Sequence, residues 1–380
     1  MNKRNGDLIL MMLLCASAAP GGARGPDESA DSNDPDSAAA AERRAETREP
    51  ANYNYNGVEL NAAVINGWSL NGWSLNGWSL NGWSLNGWSL NGVALDGTLF
   101  SGAQEIDGAE VYRSGLDFIG STMLLVHEGE QYTLRIDDIH NDPAHPESDV
   151  YFYRISVEDP KDGSWSSLCL DSNGQPTEAI PLANHWDAVT GDRVDEPDTV
   201  TFACRGAVLA KCVEWGYRPW ASATACKKGD KKCKDVSLAD HHQACTRMAR
   251  ADYCGEGNPH TINDTPIDIL DHLSPQIQSE STAKNPGWGV EAEWGPDGAL
   301  CVGDSLRLHM LEELGEEVLP ADCLAKLELP GCGNFSPSRG AALVNKYCDA
   351  WMTDPDECAA IQNTGPGKGK GKGKKTKPAP

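Results

Sequence analysis

No segment of the 380-residue chain stays apolar over the roughly 20 residues that a membrane-spanning helix needs, so no transmembrane segment is expected. No C-x-x-C pair occurs, which removes the short ligand spacing that structural zinc prefers. H-E-x-x-H, G-x-S-x-G and a Gly-rich phosphate loop followed by Lys and Ser or Thr are also missing, so the common metalloprotease, esterase and nucleotide readings find no motif. Basic residues are scarce: 32 Lys and Arg face 56 Asp and Glu, a formal charge of −24. That balance excludes general nucleic-acid binding by the folded body and favours solubility through self-repulsion. No cofactor and no metal site is expected.

The first 18 residues have the order of a secretory signal. Lys3 and Arg4 are followed by an apolar run from Leu8 to Leu14, and Ala16-Ser17-Ala18 offers small residues for a cut before Ala19. Cys15 raises lipidation as an alternative, against which Leu14 stands where a lipobox has a small residue. The chain is therefore expected to be secreted or held in the cell envelope. Of its 13 cysteines, one is Cys15, and an even set remains: Cys169, Cys204, Cys212, Cys226, Cys233, Cys245, Cys254, Cys301, Cys323, Cys332, Cys348 and Cys358. In an oxidising compartment such a set reads as a disulfide framework. Spacing suggests the local pairs Cys226 with Cys233, Cys245 with Cys254, Cys323 with Cys332, and Cys348 with Cys358, although connectivity does not follow from sequence.

Composition divides the rest. Residues 19–55 hold almost no large apolar side chain and are expected to form a disordered linker. Residues 56–100 repeat with period five, including five identical Asn-Gly-Trp-Ser-Leu units from Asn66 to Leu90. A period of five suits neither a flat strand nor a helix, whereas a coil that turns a corner at each Asn-Gly accommodates it. The segment resembles the pentapeptide-repeat proteins, which implies a short β-solenoid. It departs from their pattern in placing Trp68, Trp73 and Trp78 where a small inward residue belongs, if Leu70, Leu75 and Leu80 are the centres. Trp68, Trp73, Trp78, Trp83 and Trp88 are the candidate binding residues, as an aromatic row; the alternative is an internal stack or a spacer.

Residues 101–362 are globular in composition. Alternation predicts strands over 123–127, 131–136, 150–158 and 165–170. A helix capped by Ser237 runs through Leu238, His242, Cys245 and Met248, with Gly255 past its end, and further helices are expected over 307–318 and 339–351. An α+β, disulfide-rich domain follows from that order. The tail, 363–380, alternates Gly with Lys368, Lys370, Lys372, Lys374, Lys375 and Lys377 and is expected to be disordered and cationic.

Cys204 to Cys212, Trp215-Gly-Tyr-Arg-Pro-Trp220, His242-Gln-Ala-Cys245 and above all Arg250-Ala251-Asp252-Tyr253-Cys254-Gly255 resemble the ADYC-domain family over roughly residues 97–355. The resemblance implies an exported protein of the myxobacterial sort, preceded by short Asn-Gly repeats, and brings no biochemical activity with it. Asp252, Tyr253, His260 and Asp264 supply carboxylate, phenol and imidazole for acid and base work and are the candidate catalytic set. The opposing reading is structural, with Tyr253 packed beside a Cys254 bridge and Asp252 bonded to backbone or Arg250. The loop from Asp137 to Asp149 is dense in oxygen and imidazole groups without the spacing of an EF-hand, so a solvated turn is expected there. Of His241 and His242, one is expected in helix packing and the other in solvent. Two function classes remain: a non-enzymatic envelope or secreted binding module whose partner is an envelope polysaccharide or protein, or a secreted hydrolase with its site near Asp252 and His260.

Overall fold

The computed structural model describes residues 88–127, 130–143, 145, 148–196, 198–226, 233–282, 285–308, 331–332, 340–351, 353–354 and 357–358, with short strands at 54–55, 64–65, 68–69, 78–79 and 83–85. The expected signal peptide with Cys15, the linker up to residue 53, Trp73, Cys323 and the tail lie outside the described residues, as does the 307–318 helix beyond Leu308.

The repeat enters the fold through hairpins. Ile65 pairs with Trp68 and Leu85 with Trp88, and the residues between each pair are Asn66-Gly67 and Asn86-Gly87. Asn-Gly is the favoured dipeptide of two-residue hairpin loops, because both positions need positive φ to match the strand twist. Asp107-Gly108 joins Leu99–Ile106 to Ala109–Ser114 in the same way, with φ of 52° and 77°. Every described strand pair is antiparallel, so the repeat strands are hairpins and sheet members here, not faces of the expected solenoid.

The large sheet runs in the order Trp78–Ser79, Thr199–Cys204, Ala179–Ala183, Tyr151–Glu158, Glu130–Asn141, Thr122–His127, Trp83–Leu85, Trp88–Asp96, Leu99–Ile106, Ala109–Ser114, with Trp165–Ser167 also on Tyr151–Glu158. In a flat sheet Trp78–Ser79 and Trp83–Leu85 would stand about 29 Å apart, six spacings of about 4.8 Å. The chain from Ser79 to Trp83 reaches at most about 14 Å. The sheet therefore curls, so that its edge strand Trp78–Ser79 comes back toward its seventh strand, Trp83–Leu85. Its concave side holds Phe100, Phe118, Leu134, Tyr153, Ile155 and Phe202. The convex side of Ala179–Ala183 and Thr199–Cys204 is covered by helix α1 (Val208–Glu214), whose Leu209, Ala210 and Val213 pack on Ile180, Leu182 and Ala203.

A second sheet has the order Asn54–Tyr55, Pro266–Asp271, Leu343–Cys348, Trp288–Gly295, Gly298–Val302. Helix α2 (Ala239–Arg250) lays Ala244, Cys245, Met248 and Ala249 on its Ile267, Ile269, Trp294 and Leu343. The bridge between Cys212 and Cys245 ties α1 to α2.

The expected α+β class is corrected: the described chain is mostly β, with two α-helices. Leu343–Cys348, expected inside a helix, is an inner strand of the second sheet. It is buried on both sides, so it lacks the alternation that marks a half-exposed strand. Bridges join Cys169 to Cys204, Cys226 to Cys233, Cys301 to Cys332 and Cys348 to Cys358, and Cys254 is disulfide-bonded too. Cys245 and Cys332 thus pair across the fold with Cys212 and Cys301, not with the neighbours that spacing suggested.

Candidate functional site

Helix α2 ends at Ala251, which takes the left-handed conformation (φ 52°, ψ 37°) and turns the next three residues beneath the helix. Asp252 is fully buried and receives Arg247 Nη1 at 2.6 Å, the Glu256 N–H at 3.0 Å and the Gly257 N–H at 2.9 Å. The same guanidinium donates from Nε to the Pro296 carbonyl at 3.1 Å and pairs with Asp192. Only glycine fits the following turn. A Cβ on Gly255 would stand 2.0 Å from the Asp297 carbonyl oxygen, and one on Gly257 1.9 Å from that of Val189.

Tyr253 lies stacked between Trp294 (5.3 Å between ring centroids) and His260 (6.2 Å). Its hydroxyl donates to Glu291 and accepts the Arg307 backbone N–H at 3.1 Å. Arg307 Nε meets the two Glu291 oxygens at 2.8 and 3.0 Å, and its terminal nitrogens donate to the Met248 and Ala249 carbonyls at the end of α2. Asn345 completes the set, donating to Glu291 and accepting Trp294 Nε1 at 2.7 Å. Burial, reinforced by Glu291, raises the Tyr253 phenol well above its ordinary value of 10. Burial also lowers His260, with Asp252 opposing that shift.

Of the four residues named as acid and base candidates, Asp252, Tyr253 and His260 are thus gathered in one buried cluster. Asp264 is exposed, at φ 63°. Arg247, Glu291, Arg307, Asn345 and Trp294 belong to the same cluster, and for all but Trp294 the sequence offered no local signal: Glu291 and Arg307 lie 38 and 54 residues beyond Tyr253. His241 and His242 are both buried, contrary to the expectation that one meets solvent. His242 Nε2 contacts the Leu209 carbonyl at 3.0 Å, and His241 stacks on Tyr217.

The acidic loop does not gather its carboxylates on one point. Asp137 pairs with Arg135 at 2.6 Å, Asp138 with His140 at 3.2 Å, and Asp149 takes Arg218 and the Trp220 indole N–H.

The open surface follows the strand Tyr151–Glu158. Its odd residues Tyr153, Ile155 and Val157 point into the core, so Arg154 and Ser156 face outward, while Phe152 on the same side is buried with Ile180 and Leu182 beneath α1. At one end a cavity of about 520 Å³ is lined by Asp142, His145, Ser148, Phe152, Arg205 and Arg218, among others. At the other a groove of about 260 Å³ is lined by Asp137, Arg154, Ser156, Trp165, Ser167 and Thr177, among others. An ion chain joins them: Arg154 to Glu178 at 3.5 Å, Glu178 to Arg205 at 3.6 Å, and Arg205 to Glu214 at 2.6 Å. Arg205 lies 4.2 Å over the Phe152 ring and Arg135 4.2 Å over that of Trp165, which is 37 % exposed.

The family model of the ADYC domain matches residues 115–307, a span that holds both helices and most of the buried cluster. No curated protein and no solved structure matches the chain. Half of the sequence is covered by that match, and the Ala-Asp-Tyr-Cys run at its heart closes α2 onto the second sheet: the chain belongs to the ADYC-domain family.

Proposed function

We propose that the protein is an exported, non-enzymatic binding module that holds a neutral polysaccharide along the outward side of Tyr151–Glu158. The observation that carries this reading is the pair of concavities on one strand, with Phe152 and Ser156 about 14 Å apart at the ordinary strand rise. Two neighbouring hollows in line suit an extended polymer. Arginines and carboxylates there are already paired with one another, so the surface offers fixed donors and acceptors without a strong net charge, as a polyhydroxylated ligand requires. Trp165 supplies an aromatic body with a polar rim of Ser156, Ser167 and Thr177.

Export is supported by the disulfides and by the secretory character of residues 1–18. No described helix is long and apolar enough to cross a membrane. A structural role for Asp252 and Tyr253 fits their burial and their full use as hydrogen-bond partners.

Calorimetric titration with soluble xylan, β-glucan, amylose and chitin oligomers, and with polygalacturonate as the charged counterpart, tests the reading. Trp165→Ala should weaken the bound glycan about tenfold, the equivalent of ~1.4 kcal/mol. An unchanged affinity in that variant, or no binding to any neutral glycan, overturns the assignment of the surface. Release of new reducing ends during the titration would make the protein a hydrolase instead.

A further inference from the structure

Cys301 and Cys332 differ in their access to water. Cys301 lies on Gly298–Val302 and is fully buried, whereas Cys332 is partly exposed, its N–H held by the Val302 carbonyl at 2.9 Å. Glu293 stands directly opposite Cys301 in the antiparallel pairing and is itself fully buried. One of its carboxylate oxygens and the two sulfurs all lie within 4.8 Å of one another. Among the described residues this is the only such grouping of an acid with a disulfide. The bridges Cys169–Cys204, Cys212–Cys245 and Cys348–Cys358 have both halves buried in apolar clusters.

We propose that Cys301–Cys332 is an exchangeable disulfide that reacts with a dithiol, and that Glu293 carries the proton for its buried sulfur. An open sulfur, a buried sulfur and an acid beside them divide the work of exchange. The incoming thiolate attacks Cys332 Sγ, the sulfur that water reaches, forming a mixed disulfide and breaking the Cys301–Cys332 bond. The electron pair of that bond leaves on Cys301 Sγ. A bare thiolate is costly in a buried setting, and a proton from Glu293 quenches it, leaving the Cys301 thiol and the Glu293 carboxylate. The second thiol of the dithiol, as its thiolate, then attacks the mixed disulfide at its own partner sulfur and releases Cys332 as a thiolate, which solvent protonates. Solvent returns a proton to Glu293; in sum the dithiol loses two electrons and two protons and becomes a disulfide, and the protein gains two thiols. In reverse, Glu293 takes the proton from the Cys301 thiol as it attacks the mixed disulfide. The partner class is a protein or small molecule with two neighbouring thiols.

The test is timed reduction of the full oxidised chain by dithiothreitol, with alkylation at each time point and peptide mass spectrometry to resolve the bridges. Cys301 and Cys332 should be alkylated at least tenfold faster than the three buried bridges. In Glu293→Gln their rate should fall about tenfold or more, with Glu293→Asp restoring part of it, while the three buried bridges keep their slow rates and report that the fold is intact. Reduction of Cys301–Cys332 no faster than the buried bridges overturns the proposal on the unaltered protein, whatever the variants do. So does a Glu293→Gln rate equal to that of the parent.

Discussion

Arg247 and Asp252 meet at 2.6 Å with neither side chain open to water. They sit five residues apart, on either side of the point where α2 ends, so the pair bends the chain under its own helix. Removing one partner of a buried pair costs about 3–5 kcal/mol, and because Arg247 would keep Asp192 and the Pro296 carbonyl, the loss of Asp252 should fall at the low end, about 3 kcal/mol. Asp252→Ala should therefore lower unfolding stability by that amount in urea titrations. Glycan binding at the distant strand face should be retained below the new midpoint. The joint variant Arg247→Met, Asp252→Ala should lose less than the sum of the single ones, because no lone charge remains.

Tyr253 gives a second reading of the same cluster. Its hydroxyl serves Glu291 and the Arg307 backbone together, and both are buried. Tyr253→Phe keeps the ring between Trp294 and His260 but leaves the buried Arg307 N–H unmet and takes one of its donors from Glu291. A loss of about 1–3 kcal/mol is expected from thermal or chemical unfolding. A chemical role for the phenol would instead show as lost function at full stability.

Much of this fold is written in periodicity where one side of an element is buried and the other is not. From Tyr153 onward the strand Tyr151–Glu158 alternates because Tyr153, Ile155 and Val157 face the core while Arg154 and Ser156 face out, and α2 shows its apolar spacing through Leu238, His242, Cys245 and Met248. Leu343–Cys348 has neighbours on both sides and reads like a helix segment until its partners are known. The Asn-Gly units carried a hairpin signal, but an unbroken period of five looks equally like corners of a coil. Pairing with Thr199 and Met123, more than 35 residues away, decides between them and is invisible locally. The buried cluster behaved likewise. Asp252 and Tyr253 stood out as a motif, whereas Glu291 and Arg307 look like ordinary surface charges until the second sheet folds over them.

The bridges should differ in worth. Cys212 and Cys245, 33 residues apart, tie α1 to α2, while Cys226 and Cys233, 7 apart, close a hairpin. In the loop-entropy account the longer closure restrains the unfolded chain by about 4 kcal/mol and the shorter by about 2. Paired Cys-to-Ser changes should therefore cost at least about 1 kcal/mol more at Cys212 and Cys245, measured by denaturant unfolding without reductant. Equal losses would place the stabilisation in the folded state and not in the chain entropy.

His242 predicts how stability responds to acid. It is fully buried beneath Trp186, whose ring centroid is 5.4 Å away, and burial pushes its pKa down to about 4, with the Leu209 carbonyl opposing and Arg193 adding to the shift. The unfolded chain protonates this imidazole near pH 6.5. Above that value neither state binds the proton and His242 has no effect on the slope. Between 6.5 and about 4 only the unfolded state binds it, so stability falls as pH falls, by about 1.4 kcal/mol per unit at most and ~3 kcal/mol across the window. Burial lowers His241, His260 and His272 as well, so they act in the same direction. His242→Gln removes one of these protons. Its urea stability measured from pH 7 to 4.5 should decline more gently than that of the parent, with the curves converging toward acid; parallel curves would mean that His242 titrates alike in both states.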